Sequence, residues 1–285
     1  SGLFEDALKK IKDPSAILVT SLMTYWYPGV IEAIRIANEI HPGVPVILGG
    51  IYARLCKEHA KRTSGADYVA HDITMESPDS FIEIMNRFGM HLNHFNIRET
   101  RPAFDMLNGL EYACITTSVG CPYKCEYCAS SMLNPAYYRR DPEAVVEEIE
   151  HWHKHHNIKD FAFYDDALLI DHERHICLIL EKIMSKGLSL RFHTPNALHL
   201  NQISPDVARL LYKSGFKTIR LGLETSDMDL HNRIDKKVGK GDFERAIENL
   251  LRAGFKKQEL GAYILMALPG QSFESVARTI EFSDE

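Results

Sequence analysis

Short apolar runs recur along this chain, and almost every one is followed by an amphipathic stretch of helical period; that alternation constrains its fold more than any other feature. Parallel strands need a crossover between them, usually a helix, so a chain written strand, helix, strand, helix folds as a parallel sheet with helices packed on it. Residues 16–22, AILVTSL, form the first run, and after Tyr27-Pro28-Gly29 the stretch VIEAIRIANEIH is helical in pattern. VPVILGG follows as a strand ending at Gly49-Gly50, then the helical RLCKEHAKRTSG, the short strand ADYVA and the helical SFIEIMNRFG. Residues 90–111 carry no sustained period and are expected to link two units. From Tyr112 the alternation restarts, predicting strands near 112–118, 160–165, 188–193, 217–223 and 260–267. Helices are predicted over 142–157, 171–186, 204–214, 240–254 and 272–282. Asp141-Pro142 and Ser204-Pro205 are start signals, and Gly187, Gly215 and Gly254 stand where helices end. The fold class expected is α/β: a partial Rossmann-like parallel sheet over 1–89, a linker over 90–111, and a partial (β/α) barrel of five βα units over 112–285.

Composition narrows the class of function. With 45% hydrophobic and 25% charged residues, the 285-residue chain matches a folded protein long enough for two cores. Lys and Arg number 33 against 39 Asp and Glu, a net charge of −6. Such a balance disfavours a nucleic-acid backbone as the main partner, because that contact draws on excess positive charge. No apolar run reaches the eighteen or so residues that cross a bilayer, and the opening SGLFEDALKKIKDP does not read as a signal peptide. A cytoplasmic location is therefore the default expectation. Six cysteines are too few for a disulfide scaffold, and three of them, Cys121, Cys125 and Cys128, lie within eight residues.

Those three form a CxxxCxxC motif directly after the first barrel-type strand. Three thiolates on one tight loop can hold three irons of a four-iron cluster, leaving the fourth iron open to a small molecule. A zinc site or incidental thiols are the alternatives; structural zinc usually takes four ligands in paired knuckles, and no second knuckle follows. Reacting groups of a (β/α) barrel collect at the C-terminal strand ends. Here those ends carry the cysteines, Asp165-Asp166, Asn196, Glu224 and Leu268-Pro269-Gly270. Singly, each also reads as a helix cap or turn residue.

With these residues in view, the chain resembles the radical S-adenosylmethionine enzymes, whose defining pattern is CxxxCxΦC with Φ aromatic; Tyr127 holds the aromatic position. FYDDALL, GFKTIRLGLETSD and YILMALPGQSFESV resemble the subfamily with an N-terminal cobalamin-binding-type domain. The resemblance implies a 4Fe-4S cluster on Cys121, Cys125 and Cys128, S-adenosylmethionine on the open iron, and reductive cleavage to a 5′-deoxyadenosyl radical. It implies that Asn196 and Glu224 contact the ribose or amino acid part of the cofactor, and that Asp165 and Asp166 border cofactor or substrate. Leu265, Met266 and the Tyr127 backbone would lie near the adenine. An organic substrate, an electron donor such as flavodoxin or ferredoxin, and cobalamin-dependent methyl transfer are implied as well. A non-catalytic iron–sulfur sensing or scaffold module is the alternative function. The family's Gly-Gly-Glu element, which grips the methionine amino group, is absent; Tyr164-Asp165-Asp166 stands in its place.

In the N-terminal half, VTSLMTYWYPGVIEAIR, VPVILGGIYA and SGADYVA resemble strands of the cobalamin-binding-type domain, with Ser21, Gly49 and Gly50 placed for the nucleotide tail. No Asp-x-His-x-x-Gly occurs, and His71-Asp72-Ile73-Thr74-Met75-Glu76 replaces the usual Gly-Glu-Gly-Glu, so a purely structural domain is the second reading. Three strands where about five are usual, and five βα units where six are usual, lead us to expect a fragment of a longer protein or a trimmed member with an open barrel edge. Histidines 151, 153, 155 and 156 read as a solvated helix end, Cys56, Cys114 and Cys177 as buried small hydrophobes. Arg139 and Arg140 read as ligands for an anion or as ion pairs with Glu143 or Glu147.

Overall fold

The computed structural model describes residues 2–72, 78–92 and 100–284. Most of the segment that replaces Gly-Glu-Gly-Glu, and residues 93–99 of the expected linker, lie outside the described residues. The chain divides into two compact units, Ser1–Thr100 and Arg101–Glu285.

The first unit opens with helix α1 (Gly2–Lys10), which the sequence reading did not anticipate because only Leu8 of it is buried. Strand β1 (Ile17–Ser21) leads into α2 (Tyr27–Ile40), with Pro28 in its first turn, and then β2 (Val46–Gly49). One continuous helix was expected over 54–65. Instead α3 (Gly50–Leu55) starts at the strand end and breaks at Cys56, whose φ of −119° and ψ of 39° are not helical, before α4 (Lys57–Thr63). Strand β3 (Tyr68–Val69) and α5 (Pro78–Arg87) complete the unit. The strands form a parallel sheet in the order β1-β2-β3. Ile34, Ala37, Val46 and Leu48 are fully buried between helix and sheet, the outcome of an apolar helix stripe meeting apolar strands.

The second unit is a partial barrel. In chain order it comprises β4 (Tyr112–Ile115), β5 (Ser118–Val119), α6 (Ser130–Leu133), β6 (Tyr138–Arg139), α7 (Pro142–His156), β7 (Asp160–Phe163) and α8 (Ile176–Ser185). Next come β8 (Arg191–His193), α9 (Pro205–Ser214), β9 (Phe216–Glu224), α10 (Met228–Ile234), α11 (Asp242–Ala253), β10 (Leu260–Ile264) and α12 (Phe273–Asp284). Five strands pair in parallel in the order β4-β7-β8-β9-β10, so each βα unit lies beside the one before it. β5 and β6 form a separate antiparallel pair that brackets the cysteine segment. The start signals act as expected: Asp141 accepts the Glu143 N–H at 2.7 Å, and Ser204 accepts the Val207 N–H at 3.2 Å. Gly215 and Gly254 end their helices in the left-handed region.

Alternation along each strand sorts the residues by face. Ala113, Ile115, Phe161, Phe163, Phe192, Ile219 and Leu221 pack against the helices and are almost wholly buried. Phe192 has its ring centroid 5.4 Å from those of both Phe163 and Phe216 and is fully buried. Replacing it with alanine leaves a cavity in a close-packed layer, and urea denaturation is expected to record a loss of about 3–5 kcal/mol.

Candidate functional site

The chain leaves β4 and reaches the cysteines within six residues. Gly120 has a φ of +80°, and a Cβ there would stand 2.7 Å from the Ala136 carbonyl oxygen, so only glycine lets the loop turn back against its own return limb. The Cys128 N–H donates to the Cys125 carbonyl at 3.0 Å, closing the turn, and the Glu126 N–H donates to the Ile234 carbonyl at 2.8 Å. All three cysteines are free thiols; Cys121 and Cys125 are half-buried and Cys128 is exposed. Burial pushes the Cys121 thiol up, and the nearby Cys125 and Cys128 sulfurs add to the effect. Burial also raises Cys125, against the pull of the Lys237 ammonium. The donor set suits an iron–sulfur cluster: three free thiols on one short loop, with the Lys237 ammonium favouring the thiolate of Cys125. A cubane takes one thiolate on each of three irons, and among the described residues no three His, Cys, Asp or Glu side chains converge as around a single ion. Beneath the loop, His199 is buried with its ring centroid 4.9 Å from that of Tyr123, and its Nδ1 has no partner among the described residues. Burial brings its pKa down to about 4, which leaves it neutral.

The other predicted residues gather at the same ends of the strands. Asp165, almost fully buried, accepts the N–H groups of Thr117 and Ser118 at 3.0 and 2.5 Å and their hydroxyls at 2.7 and 2.6 Å. Burial pushes its carboxyl up against the pull of those donors. Asp166 accepts the Ser130 hydroxyl at 2.5 Å, and the Ser130 N–H donates to Cys128 Sγ at 3.4 Å. The Asn196 amide donates to the Tyr164 carbonyl at 2.9 Å, joining two strand ends. Glu224 has a φ of +62° and folds over Gly222, where a Cβ would stand 3.3 Å from its Oε1. The Leu265 N–H donates to the Glu224 carbonyl at 2.9 Å, and Met266 beyond it is exposed.

The Radical SAM superfamily profile matches residues 115–283, more than half of the chain. The chain belongs to the radical SAM superfamily. It is 24% identical to an uncharacterized methyltransferase of Pyrococcus horikoshii, over 98% of this chain and 66% of that protein. It is 22% identical to an anaerobic magnesium-protoporphyrin IX monomethyl ester cyclase of Cereibacter sphaeroides, over 96% of this chain and 50% of that one. Among solved structures, it superposes on the radical S-adenosylmethionine methyltransferase TsrM of Kitasatospora setae with a TM-score of 0.78 at 16% identity, covering 99% of this chain and 62% of TsrM. The cobalamin-dependent radical enzyme OxsB gives 0.77 at 13% identity, over 98% of this chain and 44% of OxsB. Both structures share its fold. The chain spans about half to two thirds of the length of the curated relatives named here.

In this radical SAM chain, the groups behind Tyr127 were not legible in the sequence. The Tyr127 hydroxyl donates to Asp235 at 3.4 Å, and burial followed by the Glu224 charge pushes its pKa far up. Lys237 stands 5.6 Å from the Tyr127 ring centroid and donates to Glu224 at 2.9 Å. His231 lies 3.1 Å from both Asp235 oxygens and 2.8 Å from the Thr225 carbonyl. In sequence these residues read only as loop and helix-end polarity, and no spacing signalled their convergence.

Two expectations are corrected, the partners of Arg139 and Arg140 and the burial of three cysteines. Arg139 and Arg140 do form ion pairs, but with Asp171 and with the buried Glu148, while Glu143 pairs with Lys182. Cys56, Cys114 and Cys177 are half-buried rather than buried. Cys114 alternates onto the opposite face of the sheet from the buried Ala113 and Ile115. On the histidine-rich helix, His151 and His155 rings lie 4.8 Å apart, and His151 contacts Arg101 at 3.1 Å. In the first unit, Gly50 has a φ of +84°, and a Cβ there would strike Thr20 Oγ1 at 2.5 Å, so packing against β1 already demands the glycine. Gly49 has open space beside it, and the Ser21 hydroxyl donates to the Met23 carbonyl at 2.7 Å. A groove of about 810 Å³ along β10, α11 and α12 opens beside Phe243, Ile247, Ala262 and Phe282, apart from the cysteine loop.

The His231–Asp235 pair gives a pH prediction. Burial opposes the His231 charge, but Asp235 outweighs it and raises the imidazole above its ordinary 6.5; the same pairing lowers Asp235 below its ordinary 3.8. The histidine contribution to stability is full below 6.5 and disappears as pH rises through its raised native value. The carboxylate contribution is full above 3.8 and disappears as pH falls through its lowered native value. Stability from the pair should peak between those limits, and Asp235→Asn should flatten that peak in urea denaturation across a pH series. Asp165→Ala strands two buried N–H groups and should cost about 3–5 kcal/mol by the same method.

Proposed function

We propose that this chain carries the catalytic core of a radical SAM enzyme that generates a 5′-deoxyadenosyl radical to act on an organic substrate. The observation that carries the reading is the glycine-turned loop of three free thiols, anchored at the C-terminal edge of a partial barrel. Cys121, Cys125 and Cys128 would hold a 4Fe-4S cluster, which when bound supplies the electron that cleaves S-adenosylmethionine. Around it, Asp165 fixes the strand exit from which the loop departs, so the thiols are held in place beforehand. Asp166, with one oxygen on Ser130, keeps an acceptor oxygen beside Cys121 for the cofactor's ammonium, the task of the missing Gly-Gly-Glu element. Glu224, oriented by Lys237, and Asn196 face the ribose or amino acid part. Leu265 and Met266 offer apolar surface to the adenine, with the Tyr127 backbone beside it. Cys128, exposed, marks the side open to an electron donor such as flavodoxin or ferredoxin.

Methyl transfer is the reaction class that we infer, with cobalamin as a second cofactor; it is supported by the names of the methyltransferase relative and of TsrM and OxsB. Ser21, Gly49 and Gly50 add little to that, since packing alone explains Gly50. No helix among the described residues is long and apolar enough to cross a membrane, and the cytoplasm, where thiols stay reduced, suits the chemistry.

Anaerobically reconstituted protein with dithionite and S-adenosylmethionine should yield 5′-deoxyadenosine. Replacing Cys121, Cys125 and Cys128 with alanine should abolish both the brown chromophore and that product; cleavage that survives the substitution contradicts the reading. Added cobalamin, followed by its visible spectrum, should bind and convert the reaction to methyl transfer. A spectrum of free cobalamin would remove methyl transfer and leave radical chemistry. A cluster without any 5′-deoxyadenosine would favour a redox-sensing module.

A further inference from the structure

The face of the sheet turned away from the helices holds a cavity of about 520 Å³, whose lining includes Tyr112, Asp160, Tyr164, His193, Arg220 and Tyr263. We propose that this cavity is an anion-anchored substrate pocket, in which the Arg220 guanidinium grips the carboxylate or other oxyanion of a substrate with a planar, unsaturated body. The proposal deepens the radical SAM reading and rests on it for the word substrate.

Four observations converge. The charge of Asp160 is already satisfied: Arg191 donates to it through Nε at 2.6 Å and again through Nη2, and His193 Nε2 lies 3.1 Å away. His193 is itself spent, with Nδ1 3.0 Å from the Thr218 hydroxyl. Arg220, in contrast, has no carboxylate partner among the described residues; the one hydrogen bond of its guanidinium runs from Nη1 to the Ile219 carbonyl at 3.2 Å. Glu111, the other carboxylate of the lining, is exposed and precedes β4, at the far side of the sheet from β9. A half-buried guanidinium with free donors is a fork shaped for a planar oxyanion.

The space for that fork is built into β10. Gly261 pairs in register with Arg220, and a Cβ there would stand 3.2 Å from Nη1 and 3.3 Å from Cδ. The arginine therefore lies across the β10 backbone, where a larger residue would displace it. Tyr112, Tyr164 and Tyr263 are 50%, 44% and 46% exposed around the same cavity, and the Tyr263 hydroxyl is tied to the Pro195 carbonyl at 2.6 Å. Ring faces held open in this way suit offset stacking of a flat body. Arg220 and Glu224 share a strand four residues apart, a separation of roughly 13 Å at the usual rise. A molecule anchored at Arg220 and long enough to cover that distance past Tyr164 and Tyr263, both of the lining, would reach the strand ends that carry the cysteine loop.

Binding can be read without cluster reduction, so its outcome is independent of whether 5′-deoxyadenosine forms. The probes are naphthalene-2-carboxylate, naphthalene-2-carboxamide and 2-naphthyl phosphate, titrated anaerobically into the reconstituted protein by calorimetry and saturation-transfer NMR. The carboxylate should bind at least about tenfold tighter than the amide. Arg220→Met should erase that preference while leaving the amide unchanged, and Arg220→Lys should restore part of it. Gly261→Val, which leaves the guanidinium in the chain but moves it, should weaken the carboxylate alone and serves if Arg220→Met fails to fold. Tighter binding of the phosphate than of the carboxylate would assign the site to phosphorylated substrates. Equal binding of carboxylate and amide to the unaltered protein, no binding of either, or equal losses for both in Arg220→Met would overturn the proposal.

Discussion

The carboxylate of Asp165 takes four hydrogen bonds from two consecutive residues, the amides and hydroxyls of Thr117 and Ser118, and everything at the upper edge of the barrel is referred to that junction. It fastens the end of β7 to the exit of β4, three residues before Cys121. Burying a carboxylate is costly unless its lone pairs are filled, and here donors on the neighbouring strand fill them. The direction in which the chain enters the cysteine loop is therefore fixed by a buried polar contact rather than left to a flexible turn. Gly120 then supplies the left-handed turn that the loop needs.

From that edge the sheet separates two kinds of chemistry by strand period alone. Phe161, Phe163 and Phe192 face the helices and supply stability; Asp160, Tyr164 and His193 face the other way. The side turned away from those helices is lined by polar residues, so it can hold Arg220 with open donors and still belong to a well-packed unit. At the top of the same face, Glu224 is held by Lys237, and Lys237 reaches from the chain behind Tyr127. Glu224 and the cysteine loop are thus cross-braced by one ammonium group.

Most of this architecture was legible in the sequence because it is local. Strand and helix periods, Pro after Asp141 and Ser204, and Gly at helix ends depend on neighbours a few residues away, and the structure places them as expected. The cysteine loop was legible for the same reason. What could not be read is what depends on approach across long separations. Asp235 meets Tyr127 across more than a hundred residues, and Lys182 reaches Glu143 across 39, while Arg140 pairs with the buried Glu148. The break at Cys56 was hidden as well, since a Gly50 forced against β1 starts the helix earlier than its apolar period suggests. Arg220 looked like an ordinary charged residue until the empty side of Gly261 beside it was known.

The central claim is that three thiolates leave one iron of the cluster open to S-adenosylmethionine. Electron paramagnetic resonance of the anaerobically reconstituted, dithionite-reduced protein, recorded before and after S-adenosylmethionine is added, tests it most directly. The account predicts the spectrum of a reduced 4Fe-4S cluster whose g values shift when the cofactor is added. A spectrum that S-adenosylmethionine leaves unchanged, or protein that holds zinc in place of a cluster, would contradict it.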